Sequence, residues 1–579
     1  MLALSFALLL FGSATATSGL ALDAAQFSSL AKASNLSAWD TFNQTLNGRL
    51  QVGRPVSAPC FSVVDGKNVS VDATACAAVK AGYSAPTFRG PQYGSFMNPQ
   101  WETCQSASQQ CLLDATNTSD PAPTQSPCFQ GSVAPYFINV TGPADVQKAL
   151  AFSLSTGIPL SIKNSGHDYK GRSSGKDTLS LWMHGLQSMA YVPDFVPAGC
   201  KTKYNAMTMG TGVPWETAYD FADAHNLTII GGYQETIATG GGWVQAGGHS
   251  ILSPNFGLGI DRVVQFKLVT PDGQYRIANE CQNTDLFWAL RGGGGGTFGV
   301  VLETTQRVEP GMALQVASIS FKQNATNPQA WLRLVVDNAK KWGSEGWGGH
   351  ITAASLINVT PKLTLAQANA SVQSVADYAL AQTGGVAVVE TLPSWNAFFK
   401  KYVLAAEAAV GVENVLGTRL MPTALWDNST GRDAVYNYLT ASLQWANPYI
   451  VVGTPYLYKY TPGSTSATPA WRDSLWHLGM HAGFNWNSTL AQKTTAYQIA
   501  SNLTQMMRDI SPGSGAYFNE GDVYETDHEF SYWGDNYPRL LSIKQKYDPH
   551  GLLQCWQCVG WKGQSDSRYS CYLPAITPQ

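Results

Sequence analysis

Five consecutive glycines, 292–296, follow Thr284-Asp-Leu-Phe-Trp-Ala-Leu-Arg291 and precede Thr297-Phe-Gly-Val-Val-Leu302. Thr284-Asp285 caps a short helix over residues 286–290, and residues 300–305 read as a strand. Glycine costs a helix or strand interior about 0.5–1 kcal/mol relative to alanine, so five in a row end both elements. The chain must run here from helix to loop to strand. Residues 294–299 satisfy G-x-G-x-x-G, but a dinucleotide cradle of the doubly wound type needs a strand before the glycines and a helix after them. The reversed order argues against that fold, and the absence of a following Lys-Ser/Thr argues against a Walker-type loop. What remains is the capacity of glycine loops to bring backbone N–H groups close to a phosphate.

Two further glycine clusters share that capacity. One is Asn164-Ser-Gly-His-Asp-Tyr-Lys-Gly-Arg-Ser-Ser-Gly175, directly after the strand-like Ile158-Pro-Leu-Ser-Ile-Lys163; the other is Ala238-Thr-Gly-Gly-Gly-Trp-Val-Gln-Ala-Gly-Gly-His249. Around them the pattern predicts a helix over 143–157, a strand over 206–210, a helix over 214–225 and a strand over 227–230. A hairpin follows, with strands over 261–270 and 274–277 joined by Pro271-Asp-Gly273. This order implies an α/β layer. From 311 to 510 glycine loops thin out; helices are predicted from Asn327-Pro328 to Trp342 and over 363–383, and a strand over 449–452. The organisation expected is a signal peptide over 1–16, a Cys-rich extension over 17–130, a first domain over 131–310, a second over 311–510, and a C-terminal segment over 511–579.

A net charge of -3 gives no field that would attract nucleic acid. Met1-Leu-Ala-Leu-Ser-Phe-Ala-Leu-Leu-Leu-Phe-Gly12 is too short to span a bilayer and is followed by the small-x-small Ala14-Thr-Ala16, the form of a cleaved leader. Asn-x-Ser/Thr sequons recur from Asn35 to Asn502, Asn358 among them, as in a glycosylated secreted chain. The ten cysteines are even in number and crowd both ends, which predicts disulfides stapling an N-terminal segment and the C-terminal tail, with pairings open. Cys555-Trp-Gln-Cys558 matches a redox Cys-x-x-Cys but does not open a helix after a strand, so a structural bridge is expected. His477-Leu-Gly-Met-His481 spaces two imidazoles by one helical turn, yet lacks the carboxylate of a zinc protease motif; no metal is expected. No Gly-x-Ser-x-Gly elbow supports a serine hydrolase.

In chain order, the motifs are Asn164-Ser-Gly-His-Asp-Tyr169, Thr239-Gly-Gly-Gly242, Asp285-Leu-Phe-Trp-Ala-Leu-Arg-Gly292 with its glycine run, Tyr532-Trp-Gly-Asp-Asn-Tyr537 and Lys546-Tyr-Asp-Pro549. This series resembles the berberine bridge enzyme-like branch of the vanillyl-alcohol oxidase flavoproteins, over about 130 to 555. The resemblance implies an α+β fold: a PCMH-type FAD-binding domain of two α/β subdomains, and a substrate domain with an antiparallel sheet backed by helices. It also implies a C-terminal segment returning to the flavin.

By the same resemblance His167 carries the 8α-methyl of the isoalloxazine. Asn164, Ser165, Gly166, Asp168, Tyr169 and Gly171 meet the pyrophosphate through the backbone, as do Thr239, Gly240 and Gly241; Gly299 and Val301 lie along the adenine, and Asn536 contacts the flavin. Relatives with a second flavin bond carry a cysteine in Cys-Pro-Thr-Val-Gly-Thr-Gly-Gly-His. The matching stretch here starts at Gln234, so attachment is expected to be single, and Gly242 replaces that run's histidine. Ile237 stands where a small residue governs oxygen access. Ala516-Tyr-Phe-Asn-Glu520 matches a substrate-domain strand, which makes Glu520 the expected base, its pKa raised by desolvation, with Tyr517 beside it. The expected function is a secreted oxidase moving hydride from an alcohol-type carbon of a small molecule to FAD, then to O2. The alternatives are a flavin dehydrogenase, a natural-product biosynthetic flavoenzyme, or a non-catalytic carbohydrate-binding glycoprotein. No nucleic-acid or membrane partner is expected.

Overall fold

The computed structural model describes residues 36–579, so the leader expected over 1–16 and the Asn35 sequon lie outside the described residues. Helix Pro143–Thr156 starts with proline in its first turn and ends at Gly157, whose φ of 73° closes the helix without a Cβ penalty. It feeds strand Leu160–Lys163. That strand pairs in parallel with Leu179–Trp182, which pairs in parallel with Tyr136–Asn139. Leu50–Val52 completes this sheet antiparallel to Tyr136–Asn139.

The described part of the N-terminal extension is therefore built into the first sheet. Helix Leu36–Thr45 inserts Trp39 and Phe42 against Phe152, with ring centroids 4.8 and 4.2 Å apart. The expected boundary at 130 separates strands of one sheet. Lys163, at the end of its strand, is buried and donates to the carbonyls of Gln92 at 3.0 Å and of Tyr93 and Ser95 at 2.6 Å.

A second, antiparallel sheet holds Tyr275–Asn279, Val263–Val269, Val300–Pro310, Tyr204–Gly210 and Met189–Phe195 in that order, with Leu227–Ile229 pairing on Val300–Pro310. The hairpin forms as predicted, except that Gly259–Arg262 is a helical turn and the strand starts at Val263. Helix Thr284–Leu290 stops at the glycine run, and Val300 opens the longest strand of the sheet.

The third sheet is antiparallel and seven-stranded: Val386–Leu392, Leu314–Ser320, Ser355–Thr360, Gly348–Ile351, Pro448–Val452, Ser474–Gly483 and Asn414–Pro422. Helices Asn327–Ser344, Leu365–Leu380, Ser429–Ser442 and Leu490–Ile510 back it, and Trp331, Trp342, Trp347, Val375 and Leu478 share their core. The cap of Asn327–Ser344 is Thr326, so Asn327 is already helical. His477 and His481 lie on strand Ser474–Gly483, which corrects the helical spacing read from the sequence; at period 2 they still share a face.

All ten cysteines pair: Cys60–Cys76, Cys104–Cys571, Cys111–Cys128, Cys200–Cys281 and Cys555–Cys558. Cys104–Cys571 is the staple between the two ends that the distribution implied. Asn358 is 1% exposed on a central strand and is closed to a glycan. Among the described residues no helix is long and apolar enough to cross a membrane.

Candidate functional site

The three glycine clusters converge. A cavity of about 460 Å³ is lined by residues 164–169, by Ile237, Gly241 and Gly242, and by Gly295, Gly296, Gly299 and Val301. At one end the walls are apolar, from Leu160, Ile162, Met183, Val300 and Leu553; at the other stand Tyr233, His249, His350, Tyr449, Tyr517 and Glu520. The second and third glycine loops touch: a Cβ on Gly295 would fall 2.9 Å from the Gly242 Cα. Gly166 holds φ 86° and carries the chain back toward the cavity.

The middle of this cavity is suited to an anion. Among the described residues the backbone N–H groups of Ser165, Gly166, His167 and Asp168 find no acceptor, and neither do those of Gly240 and Gly241. Buried backbone donors are nearly always paired, so a row of unpaired ones along a cavity marks a ligand's place. Ser173 Oγ, Gln234 Nε2 and Gln245 Oε1, all in lining residues, are also buried without partners. A long cavity with an apolar end and an amide-lined middle fits the adenine and pyrophosphate of FAD. Thr239 departs from expectation, since its N–H donates to the Val213 carbonyl at 2.8 Å. Gly171 lies against Trp101 outside the lining. Asn536 is corrected too: its amide donates to the Ala467 carbonyl at 3.0 Å, and it does not reach the cavity.

His167 borders the cavity half-buried, and desolvation pushes its pKa down to about 3. The ring is neutral at physiological pH. Its Nε2 lies 2.8 Å from Thr236 Oγ1, and that hydroxyl donates to Gln234 Oε1 at 3.0 Å.

Arg172 fixes this loop to the opposite wall. Its guanidinium pairs with Asp168, and it also reaches the Phe518 carbonyl at 3.3 Å and Asn519 Oδ1 at 3.1 Å. Residues 516–520 are a loop ending in a turn, not the strand expected, and the turn delivers Glu520 to the cavity. Tyr517 lines the cavity, but its hydroxyl donates to the Trp243 carbonyl at 3.2 Å and accepts from Asn519 at 2.8 Å. Its proton is committed to holding the turn.

Glu520 Oε1 lies 3.0 Å from His249 Nε2, and Oε2 lies 3.7 Å from His477 Nδ1. Burial works to raise the carboxyl's pKa, but attraction to His249, the hydrogen bond from it, and attraction to His477 and His350 outweigh burial and push it to about 2. This reverses the raised value expected from desolvation alone. His350 and His477 are themselves held near 3, mainly by burial. His249, the one of the three in hydrogen-bond contact with Glu520, supplies the largest of the attractions. His477 Nε2 meets Thr418 Oγ1 at 2.8 Å, whereas His481 is occupied with Asn414 at 2.9 Å, so the two do not form a metal pair.

Sequence reasoning missed the ring of side chains that Tyr233, in the loop after Leu227–Ile229, makes with His350 and Tyr449 of the third sheet. Tyr233 and His350 have ring centroids 4.1 Å apart, and His350 and Tyr449 5.3 Å. The one signal for His350 was alternation in Gly348-Gly-His-Ile351, where Ile351 enters the core and His350 faces the other way.

Two family models match the chain: an FAD binding domain over 134–279 and a berberine and berberine-like domain over 516–559. The FAD-linked oxidoreductase ffsJ of Aspergillus flavipes is 39% identical, over 92% of this chain and 93% of its own. The VAO-type flavoprotein oxidase VAO615 of Thermothelomyces thermophilus is 30% identical over 90% of both chains. The crystal structure of the VAO-type flavoprotein MtVAO615 from Myceliophthora thermophila superposes with a TM-score of 0.80 at 28% identity, over 93% of this chain and 96% of that one. The glucooligosaccharide oxidase of Acremonium strictum, which holds a 6-S-cysteinyl, 8α-N1-histidyl FAD, shares the fold at 19% identity with a TM-score of 0.61, over 74% of this chain and 92% of its own.

Proposed function

Because the chain belongs to the FAD-linked oxidoreductases of the berberine bridge enzyme-like, VAO-type family, we propose that it is a secreted oxidase of a neutral, alcohol-bearing small molecule, with FAD attached through His167 alone. The observation that carries this reading is the placement of an ionised Glu520, held by His249, in the same cavity as His167. Bound FAD would supply a hydride acceptor at its N5.

The chain's own residues do the rest. Glu520 accepts the hydrogen bond of the substrate hydroxyl, and the Glu520–His249 pair takes its proton as the C–H hydride departs. Arg172 holds the two walls in register through Asp168 and the Phe518 carbonyl. Tyr233, His350 and Tyr449 are uncharged in this burial, and Arg172 is already paired, so the pocket favours a neutral polar substrate over a carboxylate. The partners of the reaction are that small molecule and O2, with no nucleic acid or membrane. Full pairing of the cysteines supports an oxidising compartment.

One observation favours a second reading, oxidation with an acceptor other than O2: the branched side chain of Ile237 forms part of the cavity wall where a small residue would leave a path for oxygen. The test is hydrogen peroxide release against a panel of neutral alcohols and sugars, run beside reduction of an artificial electron acceptor. Peroxide at a rate matching substrate loss supports the oxidase. Dye reduction without peroxide supports the dehydrogenase, and a protein without bound flavin overturns both.

A further inference from the structure

The residue in place of a second flavin tether has a task of its own. Gln234 Oε1 accepts from the Thr236 hydroxyl at 3.0 Å, and Thr236 Oγ1 lies 2.8 Å from His167 Nε2. A threonine hydroxyl has one proton. An amide oxygen has none to give, so the Thr236 proton points at Gln234 and only a lone pair of Oγ1 faces His167. The proton of the neutral imidazole therefore sits on Nε2. Nδ1 keeps its lone pair and, among the described residues, has no hydrogen-bond partner.

We propose that Gln234, acting through Thr236, is a positioning residue that locks His167 in the Nε2–H tautomer and so presents Nδ1 as the atom that joins the flavin. This rests on the covalent attachment proposed above. Bond formation joins Nδ1 to the flavin 8α-carbon, moves one methyl proton onto the flavin ring system and leaves that ring system two electrons richer. Until that bond forms, Thr236 holds the Nε2 proton. Molecular oxygen then removes the two electrons as hydrogen peroxide, taking the proton gained by the flavin ring system and the Nε2 proton, which the imidazole, cationic once Nδ1 is substituted, gives up.

Burial makes the relay necessary. With the ring desolvated and neutral, its two tautomers differ by the single hydrogen bond each can make, and in a dry site one such bond decides the population. Without Thr236 the proton is free to settle on Nδ1, where no attack is possible. Gln234 Nε2 is buried without a partner, so the side chain is held at the relay by its oxygen alone.

The test uses apo-protein of the full chain, reconstituted with FAD, with attachment followed by flavin retained in an acid pellet and by the mass of the tryptic peptide containing residue 167. Wild type is expected to attach flavin completely, and Thr236→Ser to follow it. Thr236→Val and Gln234→Leu are expected to bind FAD, as judged by quenching of its fluorescence, yet to attach it at least tenfold more slowly. The modified peptide is expected to carry the flavin on Nδ1. Attachment by both apolar variants at the wild-type rate, or linkage through Nε2, would overturn the relay. Wild-type protein that binds FAD but releases all of it into acid overturns the attachment itself, and the relay with it.

Discussion

Glu520 and His249 face each other at 3.0 Å across two loops separated by 271 residues, and each is the other's only direct ionisable hydrogen-bond partner among the described residues. If this pair takes the substrate proton, Glu520→Gln is expected to lower the rate of flavin reduction by substrate, without oxygen, by about 10²–10⁴-fold. Flavin content and the melting profile stay close to wild type. A Glu520→Gln protein that reduces its flavin at the wild-type rate would place the base elsewhere.

The same pair sets a pH profile. With His249 present the carboxyl stays ionised down to about pH 2, so kcat/KM is expected to show no acid limb at the ordinary carboxylate range. In His249→Ala the largest attraction is gone and burial dominates, which raises the pKa. The acid limb is therefore expected to move up from about 2, measured as kcat/KM from pH 3 to 8.

Lys163 ends the strand that launches the His167 loop and donates three hydrogen bonds into residues 92–95. Lys163→Met would keep the volume but leave the buried Tyr93 and Ser95 carbonyls without their donor, at about 1–3 kcal/mol for each buried group left unpaired. The expected outcome is a loss of at least about 2 kcal/mol in urea unfolding, with FAD attachment impaired because the strand that launches the loop loses its anchor to residues 93–95.

Burial pushes the Glu413 carboxyl up to about 7, and among the described residues no cation is bonded to it. A carboxyl raised in the folded state favours folding below its unfolded pKa, and that contribution disappears as pH rises through about 7. Glu413→Gln is expected to match wild type near pH 4.5 and to exceed it in Tm by a margin that grows up to pH 8. The comparison must be made against the parent at each pH, since His167, His350 and His477, each held near 3, lose stability in the opposite direction as pH falls below the ordinary histidine range.

What the sequence made legible was local. Proline at the start and glycine at the end mark helix Pro143–Thr156, and Pro271-Asp-Gly273 marks the hairpin, because turn and cap chemistry act within a few residues. The place of His167 at the glycine-lined cavity was legible by the order of motifs. The pairing of Glu520 with His249 was not, since it depends on a turn at residues 518–520 that Arg172 and the Gly242 carbonyl hold from outside the segment, both through Asn519. The edge strand Leu50–Val52 was hidden for a related reason: three residues carry too little alternation to read, and its place comes from Tyr136–Asn139 and from the side chains of Trp39 and Phe42.

The Cys104–Cys571 bridge spans a sequence separation of 467 and lies behind the His167 loop. Trp101 donates to the Tyr169 carbonyl at 3.0 Å and Tyr572 to the Lys170 carbonyl at 2.6 Å, so residues flanking each cysteine grip consecutive peptides of the loop. Trp101 and Tyr572 also meet, with ring centroids 5.1 Å apart. Long loops gain most from a crosslink in the chain-entropy account, and removal of a native bridge typically costs about 2–5 kcal/mol. Cys104→Ser with Cys571→Ser is expected to lose an amount in that range by urea unfolding, and to release the grip on residues 169 and 170. The release is read as faster amide exchange in the tryptic peptide containing His167. Unchanged exchange in that peptide, with stability lowered all the same, would show that the bridge steadies the chain ends without shaping the loop.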